Sequence, residues 1–224
     1  MSAGGAQSSD DLVIRATVVI FDNDGVLVAS SASVDRAWST WAHRRGIDPA
    51  SVLAVAHSRP ARETVAMFVA EPERVAARAE IDLLELQDAD GVRAVAGAGA
   101  LIAQLEHGRW AVVTSGTRAL ATARLTAAGL TIPPVLVTAD DVRRGKPDPE
   151  GYDRAIRQLG VDAAQAVVLE DSPSGILAAR GAGVQSIVGV GPGALGAGAM
   201  VVIDDLRAAG WHDGLVIRAE GRIA

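Results

Sequence analysis

Five short apolar runs alternate with helical patterns along this chain, and each run ends at a polar residue or a turn. The runs span residues 17–21, 110–114, 135–138, 166–170 and 186–190, with a candidate sixth at residues 200–204. A continuous apolar run of this length is typical of a strand buried on both faces, as in a parallel sheet. Its alternation with helices predicts an α/β fold, with a parallel sheet and helices on both faces.

Helical signals fill the segments between the runs. Asp148 and Pro149 are typical of an N-cap followed by proline in the first helical position. The apolar residues that follow are spaced as one face of a helix: Tyr152, Ala155, Ile156 and Leu159. The glycine-rich residues 191–196 match GxGxxG, but Pro192 lies inside the match, so we expect a loop there and no dinucleotide site.

The alternation is interrupted between the first and second runs. Three groups of apolar residues there have helical spacing: Val34, Ala37, Trp38, Trp41 and Ala42, then Val65, Phe68 and Val69, then Val75, Ala79, Leu83 and Leu86. We therefore predict a helical cap domain at residues 32–91, inserted into a core formed by residues 15–31 and 92–224. Residues 1–14 are small and polar and are predicted to form a flexible tail, whereas residues 210–224 suggest no role.

Composition excludes several classes of protein. A net charge of −6 without a basic tract argues against nucleic-acid binding. The chain has no cysteine, which rules out disulfides, thiolate catalysis and cysteine-based zinc sites. No apolar run approaches a membrane span, and the first residues lack the pattern of a signal peptide. We expect a monomer in the cytoplasm, with no nucleic-acid or membrane partner.

Polar residues cluster where the predicted strands end. They are Asp22 and Asp24 after the first run, Thr114 and Ser115 at the second, Lys146 in a turn, and Glu170 and Asp171 at the fourth. Ligands bind at the carboxyl ends of strands in a doubly wound sheet, so we expect these side chains to converge. Carboxylates around one point repel one another unless a divalent cation lies among them, and an all-oxygen set suits Mg²⁺.

Lys146 is the single lysine among the 21 basic residues of the chain. A lysine offers a compact charge with rotatable donors, where the broad guanidinium of arginine does not fit. With the hydroxyl groups nearby, it suits the oxygens of a phosphate. A carboxylate can attack a phosphoryl group, and a second carboxylate can protonate the leaving oxygen and then activate water. The residues therefore favour phosphoryl chemistry.

Four motifs in this order resemble those of the haloacid dehalogenase-like phosphatases. They are Phe-Asp-Asn-Asp-Gly-Val-Leu-Val at residues 21–28, Thr-Ser-Gly at 114–116, Gly-Lys-Pro-Asp-Pro at 145–149, and Glu-Asp-Ser at 170–172 with Gly175. The resemblance implies a Rossmann-like core with a helical cap inserted after the first motif. It also implies these roles: Asp22 as nucleophile, Asp24 as general acid and base, Thr114, Ser115 and Lys146 as phosphate ligands, and Asp22, the Asp24 carbonyl, Glu170 and Asp171 as Mg²⁺ ligands.

The predicted cap resembles the sugar-phosphate and glycerol-phosphate phosphatases of this superfamily. The resemblance rests on Arg-Ala-Trp at residues 36–38, Gly-Ile-Asp-Pro at 46–49 and His-Ser-Arg-Pro at 57–60. It implies hydrolysis of a small phosphorylated metabolite, such as glycerol phosphate or 2-deoxyglucose 6-phosphate. His57, Arg59 and Arg62 are the candidate substrate contacts in the cap.

Several other functions are compatible with the same fold. A phosphosugar mutase like β-phosphoglucomutase would use the same pair of aspartates and Mg²⁺, and phosphoglycolate is an alternative substrate for a phosphatase. A haloacid dehalogenase proper needs neither Asp24 nor the pair Glu170 and Asp171, whose presence argues against it. A non-catalytic binding protein would tolerate damage at these positions, and all of them are intact.

Overall fold

A computed structural model describes residues 10–56 and 60–224. The strands of these residues are β1 (Leu12–Ile14), β2 (Val18–Phe21), β3 (Val28–Ala29), β4 (Arg93–Ala94), β5 (Trp110–Val113), β6 (Val135–Val137), β7 (Ala166–Glu170), β8 (Ser186–Val190), β9 (Val201–Ile203), β10 (Ala209–Trp211) and β11 (Leu215–Ile217). Their α-helices are α1 (Ser31–Arg44), α2 (Pro49–Ala56), α3 (Ala61–Phe68), α4 (Arg74–Gln87), α5 (Ala98–Ile102), α6 (Arg118–Ala127), α7 (Glu150–Leu159) and α8 (Pro173–Gly181).

The central sheet has six parallel strands in the order β6-β5-β2-β7-β8-β9. All six predicted runs are present in it, so the predicted Rossmann-like α/β core is confirmed. Side chains alternate between the two faces of each strand. In β2, Val19 and Phe21 belong to one apolar core, and Val18 and Ile20 belong to the core on the opposite face.

The strand order places a topological switch point between β2 and β7. These are the first and fourth strands of the sheet along the chain, and they lie side by side with Phe21 opposite Leu169. Their connections run to opposite sides of the sheet, which opens a crevice at their carboxyl ends. Asp22 follows β2 directly, and Glu170 is the last residue of β7. The fold therefore brings together two carboxylates that are far apart in the sequence.

Helices α1 to α4 form a separate layer with its own apolar core. Strands β3 and β4 pair in an antiparallel ribbon before and after this layer, and the predicted cap at residues 32–91 falls between them. Trp38 and Trp41 are buried in the cap core and pack edge to face, with ring centroids 5.4 Å apart. The sequence did not suggest α2, which follows Asp48.

The predicted apolar face of α4 is wrong, although the helix itself is present. Val75 is 83% exposed and Leu83 is 55% exposed, whereas Ala77, Ile81 and Glu85 are buried. Both sets follow a helical spacing, but the buried set points a different way around the helix. The prediction assigned the larger apolar residues of α4 to the core. In the structure, the face of α4 that packs against α1 and α6 carries Ala77, Ile81 and Glu85 instead.

The two ends of the chain form a second sheet. Strand β11 pairs with β1 on one side and with β10 on the other, both antiparallel. The predicted flexible tail at residues 1–14 is therefore wrong for Leu12–Ile14, because Ile14 is buried against Leu215 and its neighbours. Residues 210–224, which the sequence left without a role, supply the partner strand that covers this part of the core.

The structure also tests the predictions for the glycine-rich loop and for the start of α7. The glycine-rich residues 191–196 form a short 3₁₀ turn, Pro192–Ala194, before β9, so no phosphate-facing helix follows them. Helix α7 begins at Glu150, one residue later than predicted, and Asp148 accepts a hydrogen bond from the Glu150 N–H at 3.1 Å. Within the described residues, no helix is long and apolar enough to cross a membrane.

Candidate active site

A cavity of about 140 Å³ opens at the carboxyl ends of β2, β5 and β7, between the core and the cap. It is lined by six of the seven polar residues that the sequence singled out at strand ends: Asp22, Asp24, Thr114, Ser115, Lys146 and Asp171. The seventh, Glu170, is fully buried directly behind them. The structure therefore brings these predicted site residues together at one place.

Lys146 lies between two carboxylates. Its ammonium nitrogen is 2.5 Å from Asp22 Oδ1 and 2.6 Å from Glu170 Oε1. Burial alone would lower the pKa of Lys146, but the charges of Asp22 and Glu170 raise it well above its usual value, so the side chain stays cationic. The ring of Tyr152 packs 5.5 Å from the same nitrogen. This narrow space accommodates an ammonium group and leaves little room for a guanidinium.

Glu170 organises the floor of the cavity. Its Oε1 accepts hydrogen bonds from Lys146 and from the Tyr152 hydroxyl at 3.0 Å. Its Oε2 accepts from the N–H and the hydroxyl of Ser172, both at 3.0 Å. Ser172 also caps α8 by accepting from the Gly175 N–H at 3.1 Å. Burial raises the pKa of Tyr152 well above its usual value, and the Glu170 charge raises it further, so the phenol remains a donor.

Asp22, Glu170 and Asp171 place one carboxylate oxygen each within 4.8 Å of one another. Burial raises the pKa of Asp22 well above its usual value, opposed by Lys146. Burial and the Glu170 charge raise the pKa of Asp171 to about 7. Together with Asp24, these three residues make a cluster of four carboxylates. The cations that form ion pairs with the cluster among the described residues are Lys146 and Arg124. The remaining negative charge and the all-oxygen donors fit a divalent cation such as Mg²⁺.

Gly25 lets the loop after β2 approach these carboxylates. Its φ is +82°, and a Cβ added there would lie 2.0 Å from Asp171 Oδ2. A side chain at this position would therefore be strained and would also displace the carboxylate. The glycine of the first motif is explained by this close approach.

Asp24 is held by an arginine that the sequence did not suggest. Arg124 in α6 donates to Asp24 Oδ1 at 2.8 Å and to Glu85 Oε1 in the cap helix α4 at 3.3 Å. The other oxygen of Asp24 accepts from Asn23 Nδ2 at 3.2 Å, with the Thr114 hydroxyl 3.5 Å away. Burial raises the pKa of Glu85, and the charge of Arg124 opposes that shift.

The cap closes one side of the cavity with polar side chains. We call Arg78, Asp82 and Glu85 of α4, together with Trp38 of α1, the cap wall. Arg78 and Asp82 form an ion pair at 2.7 Å, so their polar atoms are paired with each other at the edge of the cavity. The three α4 residues of the cap wall were not predicted, because the sequence assigned the inner face of α4 to other residues; Trp38 was predicted in the apolar face of α1.

The three substrate contacts predicted in the cap are His57, Arg59 and Arg62, and the structure describes only the last of them. His57 and Arg59 lie outside the described residues. Arg62 lies near the start of α3 and lines a second, smaller cavity of about 20 Å³ next to Lys146 and Tyr152. It does not line the larger cavity. A direct contact of Arg62 with a substrate stays a prediction.

Two of the missed residues carry a common signal. Arg124 falls in the buried stripe of α6 formed with Leu120, Ala121 and Leu125. Glu85 continues the buried stripe of α4 that begins with Ala77 and Ile81. A charged residue in the apolar stripe of a helix needs a partner of opposite charge. Glu85 in α4 and Arg124 in α6 are two such residues of opposite charge, and this was the signal in the sequence that could have indicated their ion pair.

Comparisons with known proteins find a matching family and similar sequences. A sequence model of the family described as haloacid dehalogenase-like hydrolase matches residues 16–183. Hexitol phosphatase A of Escherichia coli K12 is 40% identical over 179 residues, which cover 78% of this chain and 83% of that protein. Validoxylamine A 7'-phosphate phosphatase of Streptomyces hygroscopicus subsp. limoneus is 43% identical over 180 residues, covering 75% of this chain and 82% of that protein.

Solved structures share the fold. The crystal structure of CbbY from Rhodobacter sphaeroides in complex with phosphate superimposes with a TM-score of 0.75 at 25% identity. The superposition covers 85% of this chain and 95% of that one. The similarity in fold therefore extends over most of the chain.

Proposed function

The chain belongs to the haloacid dehalogenase-like hydrolases and is a phosphoric monoester hydrolase; we propose that its substrate is a small sugar or polyol phosphate and that its reaction depends on Mg²⁺. The observation that carries this proposal is the position of Asp22. It lies at the switch point of the sheet, buried, with Lys146 at 2.5 Å and Asp24 two residues further on. This arrangement suits nucleophilic attack on phosphorus by a carboxylate.

The substrate class is supported by the relatives and by the cap wall. The two relatives are named as phosphatases of a hexitol and of validoxylamine A 7'-phosphate. In this chain the cap wall lines the cavity with the ion pair of Arg78 and Asp82 and with the carboxylate of Glu85, and each of these groups has donors or lone pairs beyond those used in its ion pair. Such groups suit a ligand with several hydroxyls, which can both donate and accept hydrogen bonds.

In the proposed mechanism, an oxygen of Asp22 attacks phosphorus and the bond from phosphorus to the alcohol oxygen breaks. That oxygen takes a proton from Asp24 and the alcohol leaves, so that Asp22 carries the phosphoryl group. Asp24 then accepts a proton from water, which attacks the same phosphorus. Inorganic phosphate is released and the Asp22 carboxylate is regenerated.

Lys146, Thr114 and Ser115 are the proposed ligands of the phosphoryl oxygens. Lys146 lies against the nucleophile, where its charge offsets the repulsion between the Asp22 carboxylate and an approaching phosphate. Thr114 and Ser115 directly follow β5 and line the same cavity. Thr114 is fixed in place, because its hydroxyl accepts from the Gly116 N–H at 3.1 Å.

Mg²⁺ would be held by Asp22, the Asp24 carbonyl and Asp171, with Glu170 completing the acidic set. Glu170 already accepts four hydrogen bonds, so its contribution is largely its charge. When bound, the cation neutralises charge on the nucleophile and on the phosphoryl group. Asp171 is partly exposed and lines the cavity, so its carboxylate is accessible for direct ligation.

Phosphate release from a panel of esters tests the proposal. The panel is glycerol phosphate, 2-deoxyglucose 6-phosphate, fructose and mannitol phosphates, phosphoglycolate and β-glucose 1-phosphate, each with Mg²⁺ and with EDTA. We expect release from sugar or polyol phosphates that EDTA abolishes. Activity that survives EDTA would refute the metal dependence. Release from phosphoglycolate alone would refute the substrate class.

Asp22→Asn tests the nucleophile. The amide cannot form the acyl phosphate, so turnover should fall to the background rate, while far-UV circular dichroism stays close to that of the wild type. Asp140→Asn is the matched control, because Asp140 is exposed and accepts a hydrogen bond from the Arg118 N–H outside the cavity. An active Asp22→Asn variant would refute the role of Asp22.

A further inference from the structure

Arg124 is buried between the core and the cap, where a charge is costly unless it is paired. The residue is 2% exposed, and its guanidinium contacts one carboxylate from each domain. Asp24 belongs to the loop after β2, and Glu85 belongs to the cap helix α4. The two contacts use different nitrogens, at 2.8 Å from Asp24 and 3.3 Å from Glu85.

The chemistry of the side chain explains why an arginine occupies this position. A planar guanidinium presents several donors in fixed directions, so it can contact two carboxylates through separate nitrogens. A lysine would offer one point charge at the end of a flexible chain. The Nε of Arg124 is buried and has no hydrogen-bond partner among the described residues. The hydrogen bonds of Arg124 to the two carboxylates are therefore made by its terminal nitrogens alone.

We propose that Arg124 is a positioning residue for Asp24, fixed in turn by Glu85 of the cap. This inference rests on the proposed function, in which Asp24 exchanges protons with the leaving group and with water. Arg124 fixes Oδ1 of Asp24 and so limits rotation of the carboxylate, which keeps the other oxygen on the side of Thr114. The guanidinium also stabilises the negative charge that Asp24 acquires as its proton passes to the alcohol oxygen.

The contact with Glu85 links this orientation to the cap. Glu85 lies near the end of α4, and the residues that follow it, Ala89–Gly91, also pack against α6. The positioned form of Asp24 therefore depends on cap and core being docked along this edge. The three residues Asp24, Glu85 and Arg124 all line the cavity, so the linkage adjoins the space where the alcohol part of a substrate would lie.

The dependence on the leaving group separates positioning of an acid from a structural role. A sugar alkoxide needs a proton to leave, whereas p-nitrophenolate is stable without one. The value of kcat/KM covers every step up to loss of the alcohol, so it reports the step in which Asp24 acts as an acid. The experiment compares kcat/KM for the best sugar or polyol phosphate of the panel with kcat/KM for p-nitrophenyl phosphate.

Arg124→Met should lower kcat/KM for the sugar or polyol phosphate by about 30- to 100-fold, toward the range of general acid catalysis. The loss for p-nitrophenyl phosphate should be several-fold smaller. Arg124→Lys keeps the charge but replaces the two nitrogens that contact Asp24 and Glu85 with a single ammonium, and Glu85→Gln weakens the support of Arg124. Both should show the same split between substrates with a smaller loss. Arg118→Met is the control, since Arg118 lies in the same helix, pairs with Asp141 and lies outside the cavity.

Three results would overturn the inference. An equal loss on both substrates in Arg124→Met and Arg124→Lys would indicate a structural role alone, and wild-type kinetics in both would indicate no role. If Arg124→Met does not fold, the split must appear in Arg124→Lys and Glu85→Gln, and its absence there refutes the proposal. A wild-type protein that releases phosphate from neither substrate refutes the proposed function itself, which is a distinct outcome.

Discussion

Replacing Gly175 with alanine tests the close packing of helix α8 against the buried Glu170 carboxylate. Gly175 lies in the first turn of α8, and a Cβ added to it would be 1.6 Å from Glu170 Oε1 and 1.9 Å from Glu170 Cδ. No real contact is this short, so Glu170 would have to move. Glu170 is fully buried and cannot escape to solvent.

The expected magnitude follows from two opposing effects. Alanine is favoured over glycine in a helix by about 0.5–1 kcal/mol. Moving Glu170 disrupts its contacts with Lys146, Tyr152 and Ser172, and breaking a buried ion pair costs about 3–5 kcal/mol. Lys146 keeps Asp22 as a partner, which recovers part of that loss. We expect Gly175→Ala to lower the free energy of unfolding by about 2–4 kcal/mol.

Urea unfolding in EDTA, followed by far-UV circular dichroism, measures this change without stabilisation by a bound cation. Gly99→Ala in α5 is the matched control, because its new Cβ would meet the nearest atom at 3.7 Å, an ordinary contact. That variant should be stabilised by about 0.5–1 kcal/mol. If Gly175→Ala unfolds at the same or a higher urea concentration than the wild type, the inferred packing of Glu170 is wrong.

Two further predictions concern the charges of the site. Lys146→Arg should lower kcat/KM by about 100-fold, or roughly 2.7 kcal/mol. The reason is that the ammonium lies 2.5 and 2.6 Å from two carboxylates, where a guanidinium has little room. Steady-state kinetics measure this loss, and wild-type rates would refute the steric argument. In EDTA, the urea midpoint should fall as the pH rises from about 4 to about 7, because burial raises the pKa of Asp171 to about 7 and the folded protein keeps a proton that the unfolded chain has lost. Asp171→Asn should make this profile less steep without abolishing it, because burial also raises the pKa of Asp22. An equally steep profile in that variant would refute the contribution of Asp171.

Part of the candidate site was predictable because its residues stand in local patterns. Asp22, Thr114 and Glu170 each end an apolar run, and parallel strands share one carboxyl edge. That rule is enough to expect them at one place without any knowledge of their distances. Lys146 was found by a different signal, as the single lysine in a turn.

Residues that act across domains were not predictable in the same way. Arg124 and Glu85 are far apart in the chain, and their pairing depends on how α4 docks against α6. The inner face of α4 was assigned wrongly, since Val75 and Leu83 looked more suitable for a core than Ala77. Propensity and periodicity describe one helix at a time, whereas the buried face is selected by the neighbours it meets.

The sequence by itself determined the strand and helix alternation, the four motifs that resemble those of the family and the place of the inserted helices, because each depends on residues close together in the chain. Only the tertiary structure decided which charges face one another. It placed Lys146 between Asp22 and Glu170, and it joined Asp24 to the cap through Arg124. Such contacts arise from the packing of distant segments in a buried, weakly screened space, and no local pattern encodes them.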